Sequence, residues 1–167
     1  QEGAADLTLA ARVALLSEEV KTALFALCAL GQRARIGDIA RVVGGAGGEG
    51  VRVALAELQR RDLLALSSGD DAELSSLAFR DRLYALIPAE RRAALHFRCI
   101  DVLSEAGECP GVLAQHYLQA ATEPGGLERT PLHLLELAGE AARDGHDDEA
   151  AERWFTLALQ RARGVAP

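Results

Sequence analysis

The sequence predicts a mainly α-helical chain in two parts, and three observations predict it. Apolar residues recur at helical spacing up to residue 61 and again from residue 77. Between these stretches the pattern shortens to an apolar run, a turn cluster and a second brief segment, which is the signature of a small hairpin. Near the C-terminus two helical stretches are joined by one tight turn at Gly145, the repeating unit of helical solenoids.

The elements follow in order. Ser17-Glu18-Glu19 is a helix start: the hydroxyl takes an orphan amide, and the acids suit the positive helix end. Val20, Leu24, Leu27, Cys28 and Leu30 then recur on helical faces, and Gly31 ends the run. A short helix is predicted over 36–43, with Ile36, Ile39, Ala40 and Val43 on one side. The glycine-rich stretch 44–50 is expected to be a loop without regular structure. A third helix follows over 51–61, with Val51, Leu55 and Leu58 inward. Leu63-Leu64-Ala65-Leu66, the turn residues Ser67 to Asp71, and Ala72 to Ser76 complete a hairpin. Helices are then predicted over 77–86, from Pro88 to Gly107, from Pro110 to the Glu123-Pro124-Gly125-Gly126 break, over 131–143 and over 147–163.

Composition sets outer limits. The 167 residues carry a net charge of −7, and 49% are hydrophobic, enough to build a core without metal or disulfide staples. No apolar run approaches the roughly 20 residues of a spanning helix, so no membrane role is expected. The acidic balance argues against broad attraction to nucleic acid. Lys21 is the only lysine, so 17 of the 18 basic residues are arginine, a bias that suggests a GC-rich bacterial coding sequence. A chain whose only lysine is Lys21 cannot hold the Gly-Lys-Ser/Thr phosphate loop. It begins at Gln1 with no initiator methionine and no signal segment, and is expected to be a piece of a longer protein.

Cys28, Cys99 and Cys109 are too few and too scattered for a disulfide scaffold, so reduced thiols and a cytoplasmic location are expected. His96, Cys99, Cys109 and His116 match no zinc spacing beyond the i, i+3 pair. His96 and His116 are expected to face each other across a helix pair as buried histidines. Asp147-Asp148-Glu149 reads as a helix N-terminus, with Asp147 as its cap, in preference to a metal cluster. No set of residues has the spacing of a nucleophilic or acid–base site. The chain is therefore expected to be non-catalytic, with no cofactor and no metal.

Two short helices, a glycine-rich connection, a third helix and a hairpin follow the order of a winged helix-turn-helix. The expected architecture is an N-terminal extension or linker helix over 1–16, a winged helix-turn-helix over 17–80, and an α-helical tetratricopeptide-like array over 81–167. Within the last helix pair Gly139, Ala151 and Ala158 are small residues that allow close approach, with Phe155 or Trp154 filling the gap.

Two stretches carry a more specific likeness. Leu74-Ser75-Ser76-Leu77-Ala78-Phe79-Arg80-Asp81-Arg82-Leu83-Tyr84, followed by Ile87-Pro88-Ala89-Glu90-Arg91-Arg92-Ala93-Ala94-Leu95-His96, resembles a junction in large bacterial signal-transduction ATPases of the STAND class. These include LuxR-type large ATP-binding regulators and kinase- and cyclase-linked relatives. In that family a winged helix follows the nucleotide-binding domain, an Arg-Glu-x-x-Tyr helix leads to a Glu-Arg-Arg-x-x-Leu-His helix, and tetratricopeptide-like helices come next. Val112 to Ala121 is similar to the family's Leu-Ala-x-His-x-Leu-x-Ala helix. The chain departs from the family at Leu74 and Ser76, which stand where a Phe-x-His usually ends the wing.

The resemblance implies a regulatory module that couples a nucleotide switch to sensor or effector parts by protein–protein packing. Its partners would include the parent's own nucleotide-binding domain. Arg80, Asp81, Tyr84, Arg91 and His96 are the candidate interdomain junction residues. Arg52, Arg60 and Arg61 are the candidates for contact with a partner or with nucleic acid. The alternative is an autonomous winged-helix DNA-binding transcription regulator with a helical dimerisation half, in which Arg33, Arg35 and Arg41 would also touch phosphate. Against it, Glu49, Glu57 and Asp62 share the helix or its edge, and Asp70, Asp71 and Glu73 occupy the wing, where carboxylates repel phosphate. Nucleic acid is therefore not the expected partner.

Overall fold

The computed structural model describes residues 2–44, 48–67, 70–120 and 130–164, with side chains from residue 8 onward. The chain is mainly helical and divides into two compact units, residues 1–88 and 89–167.

The first unit contains α1 (Glu2–Ala14), α2 (Glu18–Leu30), β1 (Arg33–Arg35), α3 (Ile36–Val43), α4 (Gly48–Arg60), β2 (Ala65–Leu66), β3 (Asp71–Glu73) and α5 (Leu77–Ala85). Ser17 caps α2 by accepting from the Val20 amide, and Glu18 and Glu19 occupy its first turn. From Ala23 to Ala29 every α2 side chain is buried, so this helix is enclosed by its neighbours. It packs against α3, α4, α5 and β1. Leu24, Leu27, Ile39, Leu55, Leu58, Leu63, Leu74, Leu83 and Ile87 are the unit's largest fully enclosed aliphatic residues. Leu9, Val13 and Leu16, spaced by about one turn, are buried as well and make α1 part of the unit. The unit ends at Pro88, because α5 packs on α2 and places Leu83 and Ile87 in the interior.

The sheet is three-stranded and antiparallel, in the order β1-β3-β2. Arg33, Ala34 and Arg35 pair with Glu73, Ala72 and Asp71, while Ala65 and Leu66 pair with Glu73 and Ala72. Ala72, on the central strand, is fully buried. Strand β1 is an addition to the expected elements: an Arg-Ala-Arg segment has no apolar alternation to announce it. A second difference concerns the glycine-rich stretch. Helix α4 already includes Gly48, Glu49 and Gly50, so the expected loop is shorter than 44–50; residues 45–47 lie outside the described residues. Glycine is a weak helix former, and the burial of Val51, Ala54, Leu55 and Leu58 on one face holds the helix together from its first turn.

The second unit contains α6 (Ala89–Glu105), α7 (Pro110–Ala120), α8 (Leu132–Asp144) and α9 (Asp148–Arg163). Successive helices pack pairwise, α6 on α7, α7 on α8 and α8 on α9. Gly107, with φ +73°, ends α6 in the left-handed region that glycine enters without strain. Asp147 caps α9 by accepting from the Ala150 amide at 3.0 Å. The shared core is Ala114, Leu134, Leu135, Ala138, Trp154 and Ala158. The predicted break at 123–126 lies outside the described residues.

Candidate functional site

On the first unit the arginines singled out from the sequence lie on α4 and beside the hairpin, and local groups engage them. Arg52 Nη1 is 2.7 Å from Asp70 Oδ1. Arg61, just past the end of α4, has its Nη2 2.8 Å from Glu57 Oε1 one turn back, and its carbonyl accepts from the Arg12 guanidinium. Arg60 Nε donates to the Ala56 carbonyl at 3.4 Å. On β1, Arg33 donates through Nε and Nη2 to Asp71 Oδ2, at 3.1 and 2.6 Å, and this hydrogen bond raises an already high guanidinium pKa further.

The structural cause is the hairpin turn. Asp70 adopts φ +63°, and its carbonyl accepts from the Ile36 amide at the start of α3. The turn is thus tied to the helix–strand layer, and Asp70 and Asp71 reach arginines 18 and 38 positions away in sequence. An open groove of about 380 Å³ lies between α2, α3 and α4, lined by Glu18, Glu19, Thr22, Val43, Gly50, Val51 and Ala54. Its lining is aliphatic with two carboxylates and one hydroxyl, and no nucleophile–base pair converges there.

The junction candidates divide between the units. Arg80 Nε donates to the Cys28 carbonyl at 2.8 Å, Nη1 meets Asp81 Oδ1 at 2.8 Å, and the guanidinium lies 4.8 Å from the Tyr84 ring centroid. The three thus form one cluster that fastens α5 to the last turn of α2. Burial pushes the Cys28 thiol up to about 12, against an opposing pull from the Arg80 charge, so this sulfur is an inert core atom. Arg91 and His96 belong to α6 of the second unit; Arg91 is exposed and His96 buried.

The second unit brings two sets of sequence candidates together. His96 and His116 approach through their Nδ1 atoms at 2.8 Å. Gly139 on α8 faces Phe155 on α9 so closely that a Cβ there would stand 2.7 Å from the ring, while Ala151, Trp154 and Ala158 are buried. Cys99 is buried and Cys109 exposed. Among the described residues no group of three or more His, Cys, Asp or Glu is placed to hold a metal ion, and no helix is long and apolar enough to cross a membrane. Sequence reasoning did not select Arg12, and it named Arg33 and Asp71 without joining them, because the partners of both are distant along the chain. Comparison with protein-family models, curated proteins and solved structures finds no match for this chain.

Proposed function

We propose that the chain is a non-catalytic regulatory module that acts by protein–protein packing within a larger bacterial signalling ATPase of the STAND class. In this reading the first unit is a winged helix and the second is the start of a tetratricopeptide-like array. The order helix, strand, two helices, hairpin, with β3 between β1 and β2, supports the winged helix. The close approach of α8 and α9 at Gly139 and Phe155 supports a tetratricopeptide-like pair. The module would couple a nucleotide switch to sensor or effector parts through a rigid-body shift of the winged helix against the parent's nucleotide-binding domain, biased by partner binding on the helical array.

One observation carries the choice of packing over nucleic-acid reading. The hairpin carboxylates Asp70 and Asp71 already hold Arg52 and Arg33. A DNA-reading face needs cations that exchange condensed counterions for phosphate contact; here a phosphate would have to displace a carboxylate from each guanidinium. Titration of labelled duplex DNA with the chain at low salt tests this. The expected result is no salt-sensitive binding. Binding that weakens steeply with salt and is lost in the Arg52→Ala/Arg60→Ala/Arg61→Ala variant would favour the autonomous transcription regulator instead.

A further inference from the structure

The second unit buries two histidines against each other. His96 on α6 and His116 on α7 are 1% and 7% exposed, and their Nδ1 atoms are 2.8 Å apart. The ring planes are inclined by 44° with centroids 5.0 Å apart, so the nearest approach is nitrogen to nitrogen and not face to face. At that distance one Nδ1 carries a proton and the other a lone pair, since two lone pairs repel and two N–H groups collide. The rings are therefore opposite tautomers joined by one N–H···N bond.

We propose that His96 and His116 form a proton-operated latch on the α6–α7 pair, closed while one proton lies between the two Nδ1 atoms and opened when the acceptor ring takes a proton of its own. The added proton turns the acceptor nitrogen into a donor. The bridging bond is lost, and two N–H groups then confront each other inside the helix interface. In an opened pair both rings are free to protonate, as exposed histidines do at about pH 6.5. The opened state binds more protons below that value, so the packing is fully stable above it and weakens as the pH falls.

The surroundings reinforce the effect. On α6, Arg92 and Cys99 stand one turn to either side of His96; the arginine is a like charge to any added proton, and burial pushes the Cys99 thiol up to about 12, so it stays neutral. On α7 the positions around His116 on its face are Val112, Leu113, Gln119 and Ala120, and Tyr117 beside it sets its ring edge-on to Phe97 at 6.4 Å. The buried residues of α8 are Leu134, Leu135, Ala138 and Gly139, while its His133, Glu136 and Glu140 are exposed, as are Asp101 and Glu105 of α6. Helix α9 reaches α7 through Trp154, whose indole Nε1 lies near Gly111 and whose ring carries Arg153.

Long-range proton–nitrogen NMR of the full chain reads the latch directly. At neutral pH it is expected to find one Nδ1 protonated and the other bare, and two matching tautomers would overturn the proposal. Unfolding followed from about pH 7.5 to about pH 5 provides the second readout. The unmodified chain should lose stability more steeply than His116→Asn, by up to about tenfold in the unfolding constant per pH unit, because a side-chain amide can turn to accept from a protonated His96. Parallel pH profiles would overturn the latch. Should that variant fail to fold, the tautomers of the unmodified chain decide the matter alone.

Discussion

In the first unit one helix, α2, has most of its side chains buried on every side, whereas each described helix of the second unit buries only a minority of its residues. The first core is made of leucine and isoleucine around that helix. The second sets a few aliphatic residues, among them Leu95, Ile100, Leu134 and Leu135, beside alanines, a glycine, one tryptophan and two histidines. The contrast separates two kinds of sensitivity. An aliphatic core answers chiefly to lost volume, while a core of small residues and paired imidazoles answers to added volume and to protons.

The comparison can be broken most forcefully in the first unit. Leu24→Ala, in the enclosed centre of α2, is expected to cost about 2–5 kcal/mol, seen as a large fall in the urea midpoint. A cost under about 1 kcal/mol would show that the first core is not tightly built. In the second unit the sign reverses. Gly139→Leu enlarges a residue that already touches Phe155 and should cost about 1–3 kcal/mol. Combining it with Phe155→Ala should recover part of the loss, so a double-mutant cycle reads the contact directly.

A buried thiol in each unit provides a smaller, pH-dependent probe. Cys28 and Cys99 are held up at about 12 by burial, against an ordinary value of 9.0. The unfolded chain loses those protons first, so stability is full below about pH 9 and declines toward pH 12, by at most about 1.4 kcal/mol per pH unit for each thiol. Cys28→Ala should flatten the alkaline limb of the first unit alone, and Cys99→Ala that of the second, followed by urea unfolding at several alkaline pH values. Removing the α9 cap with Asp147→Ala is expected to cost about 1 kcal/mol. Arg52→Ala removes a half-exposed ion pair and should change stability by less than about 1 kcal/mol, so a loss of partner binding in that variant would report the surface and not the fold.

What was legible in the sequence follows from which interactions are local. Caps and faces are local, so Ser17 and Asp147 announce helix starts, and apolar spacing places α2, α3, α8 and α9 within a residue or two. The start of α4 was hidden because Gly48 and Gly50 weigh against a helix until the burial of Val51 and Leu55 is counted. Strand β1 was hidden because its order comes from pairing with Asp71, Ala72 and Glu73 and not from its own residues. The same non-locality governs the site. Arg52, Arg60 and Arg61 could be picked out as cations on one helix, but the carboxylate that holds Arg52 comes from a turn whose register depends on the fold. The histidine pair stood at an intermediate level, since helical spacing put both rings inward while only the crossing of α6 and α7 brings their nitrogens to 2.8 Å.

The hairpin carboxylates Asp70 and Asp71 hold Arg52 and Arg33, and in the proposed reading they leave this face to packing and not to phosphate. The most direct measurement is duplex DNA binding, followed by fluorescence anisotropy across a salt series, for the unmodified chain and for Asp70→Asn/Asp71→Asn. No salt-dependent binding is expected for the unmodified chain, and a measurable gain for the variant, whose Arg33 and Arg52 are released to phosphate. Steep salt-dependent binding by the unmodified chain, abolished by Arg52→Ala/Arg60→Ala/Arg61→Ala, would contradict it.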